Sequence, residues 1–266
     1  MSNASSALPG PARPAPRGLL QGRNVLITAA AGTGIGFATA ERMAEEGARV
    51  FISDMHERRL GEAAERLTAV HGGVRPGSLV CDVTQESQVQ ALVAAAIADM
   101  GRLDVLVNNA GLGGSSLVVD MPDEQWHKVI DVTLTSVMRM TRAVLPHFYS
   151  RRAGAIVNNA SVLGWRAQEL QSHYAAAKAG VMAFTRCSAM EAAHHGVRIN
   201  AVAPSIAMHA FLAKVTTEEL LADLTRREAF GRAAEPWEVA NVICFLASDL
   251  ASYMTGEVLA VSSQHP

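Results

Sequence analysis

The segment Thr28-Ala29-Ala30-Ala31-Gly32-Thr33-Gly34-Ile35-Gly36 links an apolar run at 24–28 to a helix-forming stretch at 34–46. A strand, a glycine-rich turn and a helix therefore follow one another. Glycines permit a tight turn and let a pyrophosphate approach the positive end of the helix dipole. A turn with a purely structural role is the alternative. We expect this turn to bind a dinucleotide through Gly32, Thr33, Gly34, Ile35 and Gly36.

Asp54 ends the second predicted strand, eighteen residues past Gly36. A carboxylate there can accept hydrogen bonds from the hydroxyls of an adenosine ribose, and it repels a 2′-phosphate. NAD is therefore favoured over NADP. NADP is not excluded, because His56, Arg58 and Arg59 follow closely and could compensate for a phosphate by folding back. The alternative is that these three residues are solvated at the start of a helix.

Short β-branched or apolar runs alternate with helix-forming stretches along the chain. This order predicts right-handed crossovers and a doubly wound parallel α/β sheet covered on both faces. We also expect Gly47, Gly101 and Gly196 to end helices in the left-handed conformation. The predicted strands are 24–28, 48–53, 78–81, 103–107, 155–158, 197–202 and 258–261, and the helices are 34–46, 57–70, 86–100, 122–151, 172–195 and 236–248.

The chain is expected to hold one domain. Residues 1–20 are rich in Pro, Ala, Ser and Gly and are predicted to form a disordered tail, which leaves 21–266 as the folded domain. The segment 205–227 interrupts the alternation with an amphipathic helix of its own. Such an insertion beside a site often forms a lid over the substrate.

Composition excludes several functions. The 266 residues are 49% hydrophobic and carry a net charge of −2, so no basic field for nucleic acid or for a membrane surface is present. No apolar run is long enough to span a bilayer, and no secretory signal is recognised. The three cysteines are widely separated and lack zinc or disulfide spacing. We therefore expect a cytoplasmic protein with no metal.

Tyr174 and Lys178 stand four residues apart in a helix-forming stretch, and Ser161 lies thirteen residues before Tyr174. A spacing of four places the phenol and the ammonium on one helical face. A free tyrosine titrates near about pH 10, and a nearby ammonium favours the phenolate and lowers that pKa. A serine hydroxyl could hold the oxygen of a carbonyl or an alcohol beside it. An incidental pair on a surface helix is the alternative.

These features together resemble the short-chain dehydrogenase/reductase family, with matches from about residue 22 to 261. The resemblance rests on the glycine turn, Asp54, Asp82, Asn108-Asn109-Ala110-Gly111, Ser161, Tyr174 with Lys178, and 198–204. It implies a single-domain Rossmann-type sheet of seven strands and an NAD(P)-dependent oxidoreductase that acts on CH–OH groups. A homotetramer is also implied.

The resemblance implies a role for each catalytic residue. Tyr174 exchanges a proton with the substrate oxygen while hydride moves between the substrate carbon and the nicotinamide. Ser161 orients that oxygen, and Lys178 acts on Tyr174 and holds the nicotinamide ribose. Asp82 is expected at the adenine edge, although an N-cap is its alternative. The other cofactor-proximal residues are Val83, Asn108, Asn109, Ala110, Gly111, Pro204, Ile206 and Ala207.

Several positions depart from the family pattern. Thr133 stands where a relay asparagine is usual, so we expect its main-chain carbonyl to hold the relay water and the proton relay to be altered. Ala29 and Ala30 replace Thr and Gly and suggest a different backbone path near the pyrophosphate. The usual contacts after Pro204 and the usual C-terminus are also replaced, by Ser205-Ile206-Ala207-Met208-His209 and Ser262-Ser263-Gln264-His265.

The substrate is expected to be a small molecule with a bulky, hydrophobic body. The predicted pocket has an apolar mouth with a few polar groups, formed by Trp165, Gln168, Leu170, His209, Phe211 and Leu212. Arg166 and Lys214 could meet the phosphates of a coenzyme A thioester, or they could be solvated charges. The glycine turn, Thr133, residues 204–209 and the Ser-Ser-Gln ending together also resemble an actinobacterial subgroup. That subgroup acts on hydrindane-type coenzyme A esters in the breakdown of steroid C and D rings.

Two alternatives stay open. One is a 3-oxoacyl-thioester reductase. The other is a non-catalytic dinucleotide-binding scaffold, which the retention of Tyr174 and Lys178 disfavours.

Overall fold

A computed structural model of the protein describes residues 10–208 and 217–264. Its centre is a parallel sheet of seven strands in the order β3-β2-β1-β4-β5-β6-β7. The predicted single-domain, doubly wound α/β fold is therefore confirmed. The strands are β1 (Asn24–Ile27), β2 (Arg49–Asp54), β3 (Gly77–Val80), β4 (Val105–Asn108), β5 (Gly154–Asn159), β6 (Val197–Pro204) and β7 (Val258–Val261).

The helices lie on both faces of this sheet. Those of the described residues are α1 (Ile35–Glu45), α2 (Glu57–Val70), α3 (Glu86–Met100), α4 (Asp123–Ile130), α5 (Ser136–Arg151), α6 (Ser172–Ala193), α7 (Glu218–Arg227) and α8 (Pro236–Ala247). The bounds of α2 and α3 agree with the sequence prediction. Gly47, Gly101 and Gly196 have φ values of 89°, 76° and 71°, as a left-handed helix end requires.

The core has two layers because neighbouring residues of a strand point to opposite faces. Val25 and Ile27 of β1 pack into one layer, with Met43 of α1 and Ile243 of α8. Leu26, between them in sequence, packs into the other layer. Burial on both faces explains why the strands read as continuous apolar runs rather than as alternating ones.

The predicted helix at 122–151 is helical from Asp123 to Arg151, but it is not a regular α-helix throughout. It is divided by a π-helical segment, Asp131–Thr135, between α4 and α5. Thr133 within this segment is fully buried, and its side chain bonds to the backbone of Leu112. That tertiary contact is not visible in the helical pattern. Short π segments of this kind often occur at functional sites.

Residues 13–20 differ from the predicted disorder. The fully buried carboxylate of Glu46 accepts hydrogen bonds from the backbone N–H groups of Arg17 and Leu19 and pairs with Arg42. Leu20 is also fully buried. Composition missed this packing because it does not register a buried acceptor at the end of α1. Residues 1–9 lie outside the described part of the chain.

Candidate active site

The predicted cofactor and catalytic residues gather at one edge of the sheet. The glycine turn follows β1, Asp54 ends β2, the 109–111 segment follows β4, and Ser161 lies just past β5. Because all the strands are parallel, these positions share the carboxyl edge, where doubly wound folds form their binding crevice. Sequence positions more than 100 residues apart are thus brought to one cleft.

The geometry of the glycine turn fits a pyrophosphate. Gly32 has a φ of 96°, and Gly34 caps α1 without any side-chain hydrogen bond to the first N–H groups of the helix. These N–H groups are therefore free of side-chain competition for an anion. A Cβ on Gly36 would overlap with the carbonyl oxygen of Ala29 and the amide of Asn109. Close packing of helix against strand thus requires glycine at this position.

Ala29 has an unusual backbone conformation in the glycine turn. Its φ is 50°, a left-handed conformation that is unusual for a non-glycine residue. The Asn109 side chain donates hydrogen bonds to the carbonyls of Ala29 (2.9 Å) and Thr28 (3.2 Å). The Thr28 hydroxyl in turn accepts from the backbone N–H groups of Asn109 and Ala110. The segment after β4 therefore holds the turn in this conformation.

Asp54 lies at the end of β2 and is 9% exposed. It accepts hydrogen bonds from the backbone N–H groups of Ala31 (3.3 Å) and His56 (3.0 Å). Burial raises the pKa of Asp54, although the Ala31 N–H and the Arg59 guanidinium oppose that shift. Arg59 lies 3.9 Å from the carboxylate, whereas Arg58 pairs with Glu62. Of these two arginines, Arg59 is therefore the one that lies beside the Asp54 carboxylate.

Asp82 and Val83 follow β3. One carboxylate oxygen of Asp82 accepts hydrogen bonds from the backbone and the hydroxyl of Thr84, which forms a tight turn before α3. The N-cap residue of α3 is Gln85, so Asp82 is not the N-cap of that helix. Val83 is buried in the core layer that contains Leu26.

Ser161 and Tyr174 are within hydrogen-bonding reach of each other. Ser161 is 9% exposed and its hydroxyl accepts from the N–H of Leu163, whereas Tyr174 near the start of α6 is half-buried. Burial raises the pKa of Tyr174 to about 12, although its hydrogen bond with Ser161 acts in the opposite direction. The phenol is therefore protonated at neutral pH.

Lys178 is 3% exposed and donates a hydrogen bond to the main-chain carbonyl of Asn159, the last residue of β5. Its Nζ lies 5.5 Å from the centroid of the Tyr174 ring. Burial lowers the pKa of Lys178 to about 7. The expected lowering of the Tyr174 pKa by an ammonium is thus outweighed, because burial disfavours the charged forms of both side chains and sequence spacing carries no measure of burial.

Gly111 and Gly113 lie beside these side chains. A Cβ on Gly111 would lie 3.4 Å from the Nζ of Lys178, and one on Gly113 would lie 3.8 Å from the ring of Tyr174. Thr133 holds the same loop, since its hydroxyl bonds to both the N–H and the carbonyl of Leu112. The segment after β4 is therefore fitted closely to the catalytic helix.

Pro204, Ile206 and Ala207 lie at the end of β6 and just beyond it. Ile206 accepts a hydrogen bond from the N–H of Ala234 at 2.9 Å, and Ala207 forms an isolated parallel bridge with the same residue. The backbone after β6 is consequently fixed at the cleft edge. Helix α7 lies within the predicted lid at 205–227, and residues 209–216 lie outside the described part.

The predicted substrate residues are brought only partly together. Trp165 and Leu170 are 43% and 39% exposed, and Gln168 is partly buried. Leu170 has a φ of 67°, and its carbonyl accepts from the N–H of Ser116, so the loop after Ser161 is joined to the loop after β4. His209, Phe211, Leu212 and Lys214 lie outside the described residues.

The partners of two sets of predicted residues were missed from the sequence. The pair Asn158-Asn159 at the end of β5 repeats the pair Asn108-Asn109 at the end of β4, and Asn108 and Asn158 are paired in the sheet. The side chains of Asn108 and Asn158 are hydrogen-bonded to each other, as are those of Asn109 and Asn159. The repeated dipeptide was a usable signal. The second set surrounds Arg166, which bonds to Gln264 and is therefore not a solvated charge.

Metal-ligating clusters and membrane-spanning helices were sought among the residues that the structure describes. There, no three His, Cys, Asp or Glu side chains lie close enough together to hold a metal ion. Within residues 10–208 and 217–264, none of the helices combines the length and the apolar character needed to cross a bilayer.

Known proteins resemble the chain over nearly its whole length. The family model described as enoyl-(acyl carrier protein) reductase matches residues 29–263. A Mycobacterium tuberculosis protein named (5R,7aS)-5-hydroxy-7a-methyl-1-oxo-2,3,5,6,7,7a-hexahydro-1H-indene-carboxyl-CoA reductase is 66% identical over 250 residues, which cover 94% of this chain and 95% of that protein. The 3-oxoacyl-(acyl-carrier-protein) reductase of Thermotoga maritima is 40% identical, with 91% and 97% covered.

A solved structure gives the same assignment. The crystal structure of a short chain dehydrogenase from Mycobacterium smegmatis has a TM-score of 0.86 and 59% sequence identity, and the match covers 97% of this chain and 99% of that one. The members of this family use a nicotinamide cofactor. With this fold, this order of site residues and these relatives, the chain belongs to the short-chain dehydrogenase/reductase family.

Proposed function

We propose that the protein is a reductase that interconverts a ketone and a secondary alcohol on a bicyclic, hydrindane-type coenzyme A ester, with NAD as its cofactor. The observation that carries this proposal is the 66% identity to the M. tuberculosis hexahydroindene-carboxyl-CoA reductase over 94% of the chain. It is supported by a cleft that holds Ser161, Tyr174 and Lys178 beside the glycine turn. The substrate is thus a small molecule with a large hydrophobic body.

The catalytic residues have distinct roles in this proposal. When bound, the nicotinamide supplies or accepts the hydride. In reduction, Tyr174 donates its phenolic proton to the carbonyl oxygen as the carbonyl carbon becomes a carbinol, while the Ser161 hydroxyl holds that oxygen. With its pKa raised, Tyr174 keeps its proton at neutral pH and can act as the proton donor.

Lys178 and Thr133 complete the proton path. The ammonium form of Lys178 returns a proton to the Tyr174 phenolate, and the resulting amine is reprotonated from solvent. The π segment supports a relay role for the main-chain carbonyl of Thr133, because π turns interrupt regular helix hydrogen bonding. The side chain of Thr133 is engaged with Leu112 and serves to position the loop.

NAD is proposed because of Asp54. The carboxylate would bind the adenosine ribose hydroxyls, and Gly32, Gly34 and the N-terminus of α1 would hold the pyrophosphate. Arg59 beside Asp54 leaves weaker use of NADP open. The remaining residues proposed to contact the cofactor are Thr33, Ile35, Gly36, Asp82, Val83, Asn109, Ala110, Gly111, Pro204, Ile206 and Ala207.

The substrate body would lie against the loop after Ser161, which carries Trp165, Gln168 and Leu170. The exposed face of Trp165 supports an apolar contact with fused rings. Family resemblance further supports a cytoplasmic homotetramer with a lid around 205–227. The mass of the assembly in solution would test the oligomeric state.

Steady-state kinetics test the proposal. A hydroxy-oxo-hexahydroindene carboxyl-CoA ester and linear 3-oxoacyl-CoA esters are compared, each with NAD(H) and with NADP(H). We expect kcat/KM to be highest for the bicyclic ester with NAD(H). A clear preference for linear chains would instead support the second candidate, a 3-oxoacyl-thioester reductase, which the 40% identity to the T. maritima enzyme favours.

A further inference from the structure

Three segments that are far apart in sequence meet in a chain of polar side chains beside the candidate substrate loop. Arg166 Nη1 donates a hydrogen bond to Gln264 Oε1 at 2.6 Å. Gln264 Nε2 donates to Glu228 Oε1 at 2.8 Å. The backbone N–H and the hydroxyl of Ser263 donate to the other oxygen of Glu228, at 3.2 and 2.7 Å. A single side-chain amide thus bridges a guanidinium and a carboxylate.

The bridge helps to compensate the negative charge of a buried carboxylate, that of Glu228. Glu228 is 4% exposed, and among the described residues no Lys, Arg or His nitrogen lies within 4.0 Å of it. A buried carboxylate is costly unless hydrogen bonds and charge compensate for it. Gln264 accepts from Arg166 and donates to Glu228, so it transmits the compensating charge through polarised hydrogen bonds.

The bridge reaches the loop that carries Ser161. Gly164 N–H donates to the carbonyl of Ser161, and Arg166 N–H donates to the carbonyl of Val162, so Arg166 closes the turn that begins at the catalytic serine. The Nη2 of Arg166 is buried and has no hydrogen-bond partner among the described residues. Gln264 is therefore the contact that fixes this guanidinium.

The other end of the bridge lies directly after α7. Glu228 follows the last residue of that helix, and the N–H of Ala229 donates to the carbonyl of Ser263. The C-terminal residues 262–264 consequently lie between the segment after α7 and the loop after Ser161, and they are tied to both.

We infer that Gln264 is a positioning residue for substrate selection. By joining Arg166 to Glu228, it fixes the loop wall against which the body of a bulky acyl thioester lies, while leaving the reacting groups untouched. This inference rests on the proposed function for the identity of that substrate. Loss of the bridge should therefore weaken the binding of large substrates, and it should leave the chemical step and small ketones nearly unchanged.

The test uses a pair of substitutions that break and then restore the bridge. Gln264→Glu keeps the acceptor for Arg166 but places a second carboxylate against Glu228. The double variant Glu228→Gln/Gln264→Glu restores complementarity, because the new amide at 228 can donate to position 264 and its oxygen can still accept from Ser263. Gln90→Glu is the matched control, since the exposed Gln90 side chain also donates to a carboxylate, that of Glu86.

We expect Gln264→Glu to raise KM for the bicyclic ester about tenfold or more, because repulsion from the carboxylate of Glu228 displaces residue 264 and disturbs its contact with Arg166. Its kcat for the bicyclic ester should stay within about twofold of the wild-type value. For cyclohexanone, both kcat and KM should also stay within about twofold. The double variant should regain most of the wild-type KM, and Gln90→Glu should behave as wild type. In the absence of substrate, thermal midpoints should fall for Gln264→Glu and recover in the double variant.

Three results would overturn the inference: an unchanged KM in a folded Gln264→Glu protein, equal losses for large and small substrates, or no rescue by the double variant. If the wild-type enzyme turns over linear 3-oxoacyl thioesters and small ketones but not the bicyclic ester, the proposed function fails. The inference is then judged by the same comparison between that thioester and cyclohexanone, in which a selective KM effect supports it and its absence refutes it.

Discussion

The hydroxyl of Thr133 accepts a hydrogen bond from the backbone N–H of Leu112 at 2.9 Å and donates one to the carbonyl of the same residue at 3.0 Å. Thr133 is fully buried, and Leu112 follows Gly111, which lies against Lys178. Both bonding directions of the hydroxyl are thus used to hold the loop after β4. We therefore expect the Thr133 side chain to affect catalysis indirectly, by holding this loop in place.

Replacing Thr133 by Val should lower the free energy of unfolding by about 1–3 kcal/mol, because the paired backbone groups of Leu112 lose their partner. It should also lower kcat severalfold, whereas Thr133→Ser should retain both properties. Urea unfolding and steady-state kinetics measure these effects. Thr135→Val is the control, since its hydroxyl makes only a 3.5 Å contact with the carbonyl of Ile130. A Thr133→Val protein with wild-type stability and kcat would refute the positioning role.

Gly36→Ala should impair both stability and cofactor binding. The added Cβ would overlap with the Ala29 carbonyl and the Asn109 amide, and overpacking of this kind costs about 1–3 kcal/mol. Gly61→Ala on α2 is the matched control: its Cβ would meet no atom within 4 Å, so we expect stabilisation by about 0.5–1 kcal/mol. Thermal unfolding and NADH titration measure the two effects. Equal behaviour of the two variants would contradict the close approach at Gly36.

Asp54→Ser should shift cofactor preference toward NADP. Removal of the carboxylate removes repulsion of a 2′-phosphate, and like charges in contact cost about 1 kcal/mol or more, so the ratio of kcat/KM for NADPH to that for NADH should rise about tenfold. Asp249→Ser, an exposed carboxylate paired with Arg23, should leave the ratio unchanged. An unaltered ratio in the Asp54 variant would remove the basis for proposing NAD.

The stability of the protein should depend on pH through Lys178. Its pKa is about 7 in the folded protein and about 10.5 when unfolded, so the unfolded state binds more protons between these values. Stability therefore rises as pH increases from about 7 to 10, and Lys178→Met should remove that part of the slope. Urea unfolding across this range measures it.

Tyr174→Phe serves as the control for that slope. The pKa of Tyr174 is raised to about 12 from 10, so its stabilising contribution is lost only above about pH 10. The variant should therefore keep the wild-type slope from pH 7 to 10. If the slopes of wild type and Lys178→Met coincide, Lys178 is not buried in the way the structure indicates.

Local patterns predicted most of the fold. The bounds of α2 and α3 were readable because each helix is a continuous local stretch, and Gly101 ends α3 in the left-handed conformation. The break at Asp131–Thr135 was not readable, because it depends on Thr133 meeting Leu112, a residue 21 positions away. Val132, Thr133 and Thr135 are β-branched and weaken regular helix in this segment, but propensity does not specify a π turn.

The candidate site was also predicted only in part. Spacing placed Ser161, Tyr174 and Lys178 in one cleft, but their pKa values depend on burial, which spacing does not describe. The partner of Lys178 is a main-chain carbonyl, that of Asn159, and any residue type supplies one. The contact of Arg166 with Gln264 spans 98 positions and was equally unreadable.

The proton transfer assigned to Tyr174 is tested most directly by kcat for ketone reduction in Tyr174→Phe, measured on whichever ketone the wild-type enzyme reduces best. NADH titration first establishes that the variant still binds its cofactor. We predict that kcat falls by about 10²–10⁴, the contribution of a positioned general acid, while the NADH Kd stays within about threefold. A variant that retains the wild-type kcat with cofactor bound would contradict the assignment of Tyr174 as proton donor.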